Sequence, residues 1–313
     1  MADVNYIFLL SLTIIVIGYI VKKLKIITAE NGKVIAKIIF NITLPAVILK
    51  VTSRVEFNPS LILLPLVNII FGFLMAIIGL ILFRKTQREK KGLILMALIG
   101  FNVAHFSFPL IEGIWGEKGM QYIAFIDAGN AFTIFVLCYI VGSIFAPNSK
   151  SEDLSVKFKD TGRRLLKSAP LMSYFFALFI NFSGIGESMP IFFWDLLDII
   201  ARANTALSLL LLGIYLNLKF ERTEWATILK VLITRYSLGL VVGLLLFFFL
   251  PPDQFDLLFR IILTISLIFP IGLAVIPFSV EFEYDLKLIS MIANLTIIIS
   301  FALVWILIII LTG

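Results

Sequence analysis

The sequence predicts an all-α membrane protein of ten spans, folded as a five-plus-five inverted repeat whose fourth and ninth helices are broken and cross. Three observations predict it. Of 313 residues 60% are hydrophobic and only 15% charged, an apolar content beyond what one soluble core and its solvated surface can use. Apolar runs of roughly 20 residues, the length that crosses the hydrocarbon layer, recur along the chain with short polar connections. Strand alternation is absent, so helices rather than a barrel satisfy the backbone in lipid.

The first run, 5–22, lacks a basic amino-terminal region and a small-residue cleavage site and is expected to be retained as a span. The second, 34–53, holds Asn41, and the third, 60–83, runs into a basic loop at Arg84 and Lys85. The fourth and fifth, 92–112 and 119–145, carry an unusual set of polar residues. Then comes the longest polar connection, 146–164, APNSKSEDLSVKFKDTGRR, which separates a first repeat, 1–145, from a second, 165–313. The second repeat supplies runs at 165–184, 190–217, 226–249, 257–279 and 286–311. Cys138, the only cysteine, sits mid-span, can form no internal disulfide, and reads as a small buried hydrophobe.

Charge orients these spans, because Lys and Arg near helix ends are held on the cytoplasmic side. With both termini outside, nineteen of the 26 basic residues fall in inside loops, among them Lys22, Lys23, Arg88, Lys90, Lys150, Arg163, Arg164, Lys219 and Lys287, whereas Lys50, Arg54, Lys118 and Arg260 fall outside. The net charge of +6 is therefore a topology signal for a multi-pass protein of the cell membrane, embedded in lipid, and not the footprint of a nucleic-acid partner. Glu281, Glu283 and Asp285 make the last inside connection acidic, although acidic residues count little in this rule.

Five spans per half force the second half to run through the membrane upside down, an arrangement common in secondary transporters, which hold substrate near the midplane between the halves. Traces of a repeat survive. Asn41 and Asn204 begin related apolar runs 163 residues apart, Phe108-Pro109 matches Phe269-Pro270 at 161, and Asn130 echoes Asn294 at 164. Proline inside a helix removes a hydrogen bond and strikes the preceding turn, so Pro109 and Pro270 are expected to break spans four and nine. Crossing there would bring half-helix ends together at the midplane, two of them amino termini with free N–H groups that suit an anion. Asn102 and His105 precede Pro109 by seven and four residues, which puts all three on one face if that stretch is helical.

From Asn102 onward, NVAHFSFPLIEGIWGEKGMQYIAFIDAGNAF resembles the fourth and fifth spans of the auxin efflux carrier family, whose pattern is GN-x-G-F-x-G-x-PL, a G-x-x-G loop, Y-A, then an Asp and an Asn. Asn102, Pro109, Leu110, Gly116, Gly119, Tyr122, Ala124, Asp127 and Asn130 fall in register, and FPIGLAVIPFSVEFEYD is similar to the family's ninth span. Phe101, Ala104 and Ser107 stand where the family has glycine, and His105 replaces an aromatic, departures that bear on the shape and selectivity of the pocket. The resemblance implies a scaffold of spans one, two, six and seven, and a transport unit of spans three to five and eight to ten that slides so that the crossover faces each side in turn. It also implies a small organic anion, such as a carboxylate, as substrate. A second copy docking through the scaffold is the expected protein partner, although no self-complementary motif marks it. Without a long central hydrophilic loop, the chain resembles the prokaryotic members, for which auxin is not the expected substrate.

The substrate-binding candidates are therefore Asn102, His105, Ser107, Pro109, Pro270, Asn41 and Asn204. His105 also admits the plainer reading of a neutral imidazole donating to a backbone carbonyl. Asp127 and Asn130, one turn apart, are the candidates for coupling to a proton or a cation, since a buried carboxylate without a partner takes up a proton. Arg202, just before Asn204, is a candidate counter-charge, whereas Lys37 and Arg235 are expected to snorkel to the cytoplasmic surface. No metal-ligand cluster, phosphate loop or catalytic pairing is present, so no cofactor and no enzymatic activity are expected. Two other functions fit the same plan. A sodium-coupled symporter of the bile acid type would need a denser set of oxygen ligands than Thr264, Ser266, Asp127 and Asn130, and a ligand-sensing receptor would bind without turnover.

Overall fold

The computed structural model describes residues 3–147, 168–217 and 224–312. Most of the expected linker 146–164, and the loop bearing Lys219 and Arg222, therefore lie outside the described residues. The described residues are helical except for connections and one isolated antiparallel pairing, Phe101 with Ile271.

Helix α1 (Val4–Lys23) starts at Asp3, whose carboxylate accepts the Asn5 N–H, and α2 (Ala29–Ile38) starts at a capping box between Thr28 and Asn31. A π-helical turn, Ile39–Thr43, leads into α3 (Leu44–Thr52), which opens on Pro45. The proline ring would strike the carbonyl four residues back, and the wider turn carries that carbonyl away. After α4 (Leu63–Leu82) and α5 (Arg88–Ile99) the chain is extended at Gly100 (φ −98°, ψ 156°) and then re-enters a helix through a second π-helical turn, Val103–Ser107. That turn accommodates Pro109 in the first turn of α6 (Phe108–Phe132). Gly116 interrupts α6 with φ 58°, a left-handed conformation that side chains resist, and divides the fourth expected span from the fifth. A further π-helical turn, Thr133–Cys138, joins α7 (Tyr139–Phe145).

Helix α8 (Ala169–Ser183) has Pro170 in its first turn and stops at left-handed Gly184. Then come α9 (Ile191–Tyr215), α10 (Trp225–Phe249) and α11 (Leu257–Ser266), the last capped by Asp256 accepting the Phe259 N–H at 2.7 Å. Residues 267–274 are not helical, and α12 (Val275–Glu281) and α13 (Leu286–Thr312) complete the chain. Among the described residues seven helical stretches are long and apolar enough to cross a membrane, and two shorter apolar helices, Ala169–Ser183 and Leu257–Ser266, fall at the sixth and ninth expected spans.

Contacts divide the chain into two compact units, each drawn from both halves of the sequence. One comprises Met1–Leu61, Ala104–Phe125 and Leu166–Leu216, the other Ile62–Val103, Ile126–Leu165 and Asn217–Gly313. In the first unit α1 lies along α9 at backbone contact: a Cβ on Gly18 would collide with Leu210 O, and one on Gly213 with Ile15 O. Helix α3 packs on α8 and α9. Asn181 Nδ2 there donates to Ser53 O at 3.0 Å and Val55 O at 2.8 Å. In the second unit α5 is buried all round from Gly92 to Ile99, with α4 and α7 packed on it, and α10 packs on α11 with Gly239 against Leu267 O.

The two prolines do not occupy equivalent places. Pro270 lies in the non-helical segment itself, but the break in the fourth span is at 100–102, not at Pro109, because the π-helical turn absorbs Pro109 while Gly100 and its neighbours turn to partners outside the helix. Asn102 is consequently not on a shared helical face with His105 and Pro109.

Candidate functional site

The site is built in the second unit, where the breaks of the two spans pair. Asn102 N donates to Pro270 O at 2.9 Å and Gly272 N donates to Gly100 O at 3.3 Å, so the unwound strands satisfy each other in antiparallel fashion. Asn130 on α6 holds Phe101 by both ends of its amide, accepting from Phe101 N at 3.0 Å and donating to Phe101 O at 2.9 Å. From α13, Thr296 Oγ1 accepts the Ile271 N–H at 3.3 Å and Ser300 Oγ donates to Ile268 O at 2.7 Å. Arg235 on α10 is 0% exposed, and its guanidinium donates to carbonyls of both strands and lies 4.2 Å from the Phe101 ring centroid.

The Asn102 side chain leaves a donor over. Asn102 is 3% exposed, and its Nδ2 has no hydrogen-bond partner. A buried polar group left unsatisfied costs about 1–3 kcal/mol, so its retention at the pairing of two broken spans marks a place where an acceptor from outside the protein would be welcomed.

A family profile described as membrane transport protein matches residues 7–310, nearly the whole chain. The chain belongs to that family. An uncharacterised transporter of Methanocaldococcus jannaschii is 26% identical over 301 residues, covering 90% of each chain, and one of Methanothermobacter thermautotrophicus is 23% identical over 219 residues, covering 67% of each. This is the auxin efflux carrier family to which the fourth-span and fifth-span residues point, and the chain is a prokaryotic-type member of it.

In this member of the family the other sequence-derived candidates are distributed as follows. Pro270 and Asn130 lie at the pairing of the breaks, and Asp127, one turn before Asn130, is 8% exposed. His105, Ser107 and Pro109 belong to the first unit with Asn41 and Asn204. There the His105 ring packs 5.2 Å from that of Phe40, and its Nε2 has no hydrogen-bond partner. Ser107 is fully buried. The two repeat-related asparagines differ in surroundings: Asn204 is buried and accepts from Thr43 Oγ1 at 3.0 Å, whereas Asn41 is exposed and donates to Lys37 O within its own helix.

Two readings of basic residues need correction. Arg202 is 77% exposed and paired with Asp198, which also binds Lys50 at 2.5 Å, so it is no free counter-charge. Arg235 does not snorkel. It stands ten residues past Trp225, about 15 Å along the helix, farther than a side chain reaches, and that depth was the sequence signal of a buried role.

Proposed function

We propose that the protein is a secondary active carrier of a small organic anion, most simply a carboxylate, bound at the paired breaks beside Asn102. The observation that carries the reading is the buried, unpartnered Nδ2 of Asn102 at that pairing. A charged acceptor would gain a charge-assisted hydrogen bond there, worth about 1.5–3 kcal/mol. The side-chain donor favours negative charge, and so does the positive guanidinium of Arg235, which donates to Pro270 O of the same pairing.

Alternating access by an elevator-like motion fits this site. Spans one, two, six and seven fall in one compact unit, and spans three, eight, nine and ten with most of span five in the other, a grouping that supports a scaffold and a moving body. Residues 104–125 group with the scaffold spans rather than with the rest of spans four and five. The five-plus-five inverted plan with both termini outside goes with this mechanism. It predicts that a cysteine at Ser151 is labelled only from the cytoplasmic side and one at Glu187 only from outside.

Proteoliposomes loaded with labelled carboxylates test the function. Uptake of an acid but not of its neutral amide, without a requirement for sodium, supports the proposal. Strict dependence on sodium identifies a symporter of the bile acid type instead, and binding without flux identifies a receptor.

A further inference from the structure

The fourth span ends at Ile99 because the N–H groups that would continue it are spent elsewhere. In an unbroken helix Phe101 N would donate to Ala97 O and Asn102 N to Leu98 O. Here Phe101 N goes to Asn130 and Asn102 N to Pro270 O, leaving the carbonyls of Ala97 and Leu98 abandoned inside the protein. Arg235 takes both with a single nitrogen: Nη1 donates to Ala97 O at 3.0 Å and to Leu98 O at 2.9 Å. Its other terminal nitrogen, Nη2, reaches Gly100 O at 3.0 Å, Phe269 O at 2.9 Å and Pro270 O at 3.2 Å. One guanidinium thus serves five carbonyls on two spans distant in sequence, while its plane lies over the Phe101 ring that stacks on Phe71.

The charge balance is as informative as the geometry. Among the described residues no carboxylate lies within 4.0 Å of Arg235, so its positive charge is answered only by carbonyl dipoles. Those dipoles are the negative end of α5 and the unwound strand before Ile271, the parts of the pairing that would repel an anion. Nε of Arg235 is itself buried without a partner, so even this residue is not saturated.

The geometry points to Arg235 as a positioning residue that locks the two unwound strands together and cancels their carbonyl ends, so that the place beside Asn102 stays positive and selects anions over neutral isosteres. Lysine could keep the charge but not the clamp, because three donors on one nitrogen cannot span five carbonyls held by two. The charge-selecting part rests on the anion reading above, whereas the clamp does not.

The test uses purified full-length protein and the probe pairs benzoate with benzamide and lactate with lactamide. Affinities are measured for wild type, Arg235→Lys and Arg235→Met, together with amide hydrogen exchange at Phe101, Asn102 and Gly272. The expected result is faster exchange at those amides in both variants. Arg235→Lys should bind the acids about tenfold more weakly while keeping its acid-over-amide preference, and Arg235→Met should lose that preference. Unchanged exchange and unchanged preference in Arg235→Met overturn the inference. Should that variant fail to fold, Arg235→Lys decides alone, since wild-type exchange and affinity in it are incompatible with the clamp. Equal wild-type binding of acid and amide removes the anion reading and with it the selectivity role, and the exchange data then judge the clamp by itself.

Discussion

Asn130 and Phe101, 29 residues apart, are joined by a two-bond exchange in which the amide of the first replaces a helical neighbour for the backbone of the second. The bonds are buried, and each oxygen and nitrogen of the amide is used. Asn130 therefore acts on the path of the backbone, a structural duty that sits beside its candidacy as a coupling ligand. Replacing it with Ala strands two buried backbone groups, each at about 1–3 kcal/mol. The thermal unfolding midpoint of Asn130→Ala in detergent should fall markedly and substrate binding should be lost; a wild-type midpoint would mean the strand at Phe101 is held without it.

Asp127 stands with Asn130 as the candidate for coupling transport to a proton or a cation, and the proton reading is the one a single substitution tests. With a side chain that mimics the protonated acid, Asp127→Asn should bind substrate normally but lose the response of uptake to a pH gradient. Uptake by that variant that still follows the gradient would return Asp127 to a structural role.

Much of this was legible in the chain and some was not. Apolar runs located the helices, whereas the caps at Asp3, Thr28 and Asp256 and the left-handed backbone at Gly116 and Gly184 came only with the structure. Local signals misplaced the break, because proline is the residue that announces one in a sequence. The actual break at Gly100 is created by Asn130, Pro270 and Arg235, whose proximity only tertiary structure supplies. For the same reason the match of Asn41 with Asn204 did not carry over to their surroundings, since a repeat equates positions but not neighbours.

The contact of α1 with α9 is tight enough to be tested by one methyl group. At Gly213 the added carbon meets the Ile15 carbonyl, a backbone atom that cannot rotate away. Overpacking of this kind costs about 1–3 kcal/mol, and small residues at such crossings are what allow membrane helices to approach. Gly213→Ala should lower the unfolding midpoint, and an unaltered midpoint would show that the two helices separate freely.

Lys90 and Glu224 form an ion pair, unlike the interior Arg235, whose partners are carbonyls. Their atoms are 2.5 Å apart, but the side chains remain 30% and 34% exposed, so solvent screens them and the pair contributes about 0.2–1 kcal/mol. The hydrogen bond from Lys90 holds the Glu224 carboxyl below its ordinary value of 4.5. A depressed carboxylate stabilises the fold above its unfolded-state value and ceases to do so as pH falls through the folded one. The small loss of thermal stability in Glu224→Gln should therefore be present at pH 7 and vanish in acid below about pH 4.5. A loss that persists or grows in acid would assign the effect to something other than this pair.

The central claim is that a small anion binds beside Asn102. The direct measurement is the affinity of the best-binding carboxylate and of its neutral amide for wild type and for Asn102→Ala. Loss of one hydrogen bond to a charged group, about 1.5–3 kcal/mol, predicts at least tenfold weaker binding of the acid by the variant and little change for the amide, which wild type should already bind poorly. Equal wild-type affinity for acid and amide, or undiminished binding of the acid by Asn102→Ala, would contradict the account.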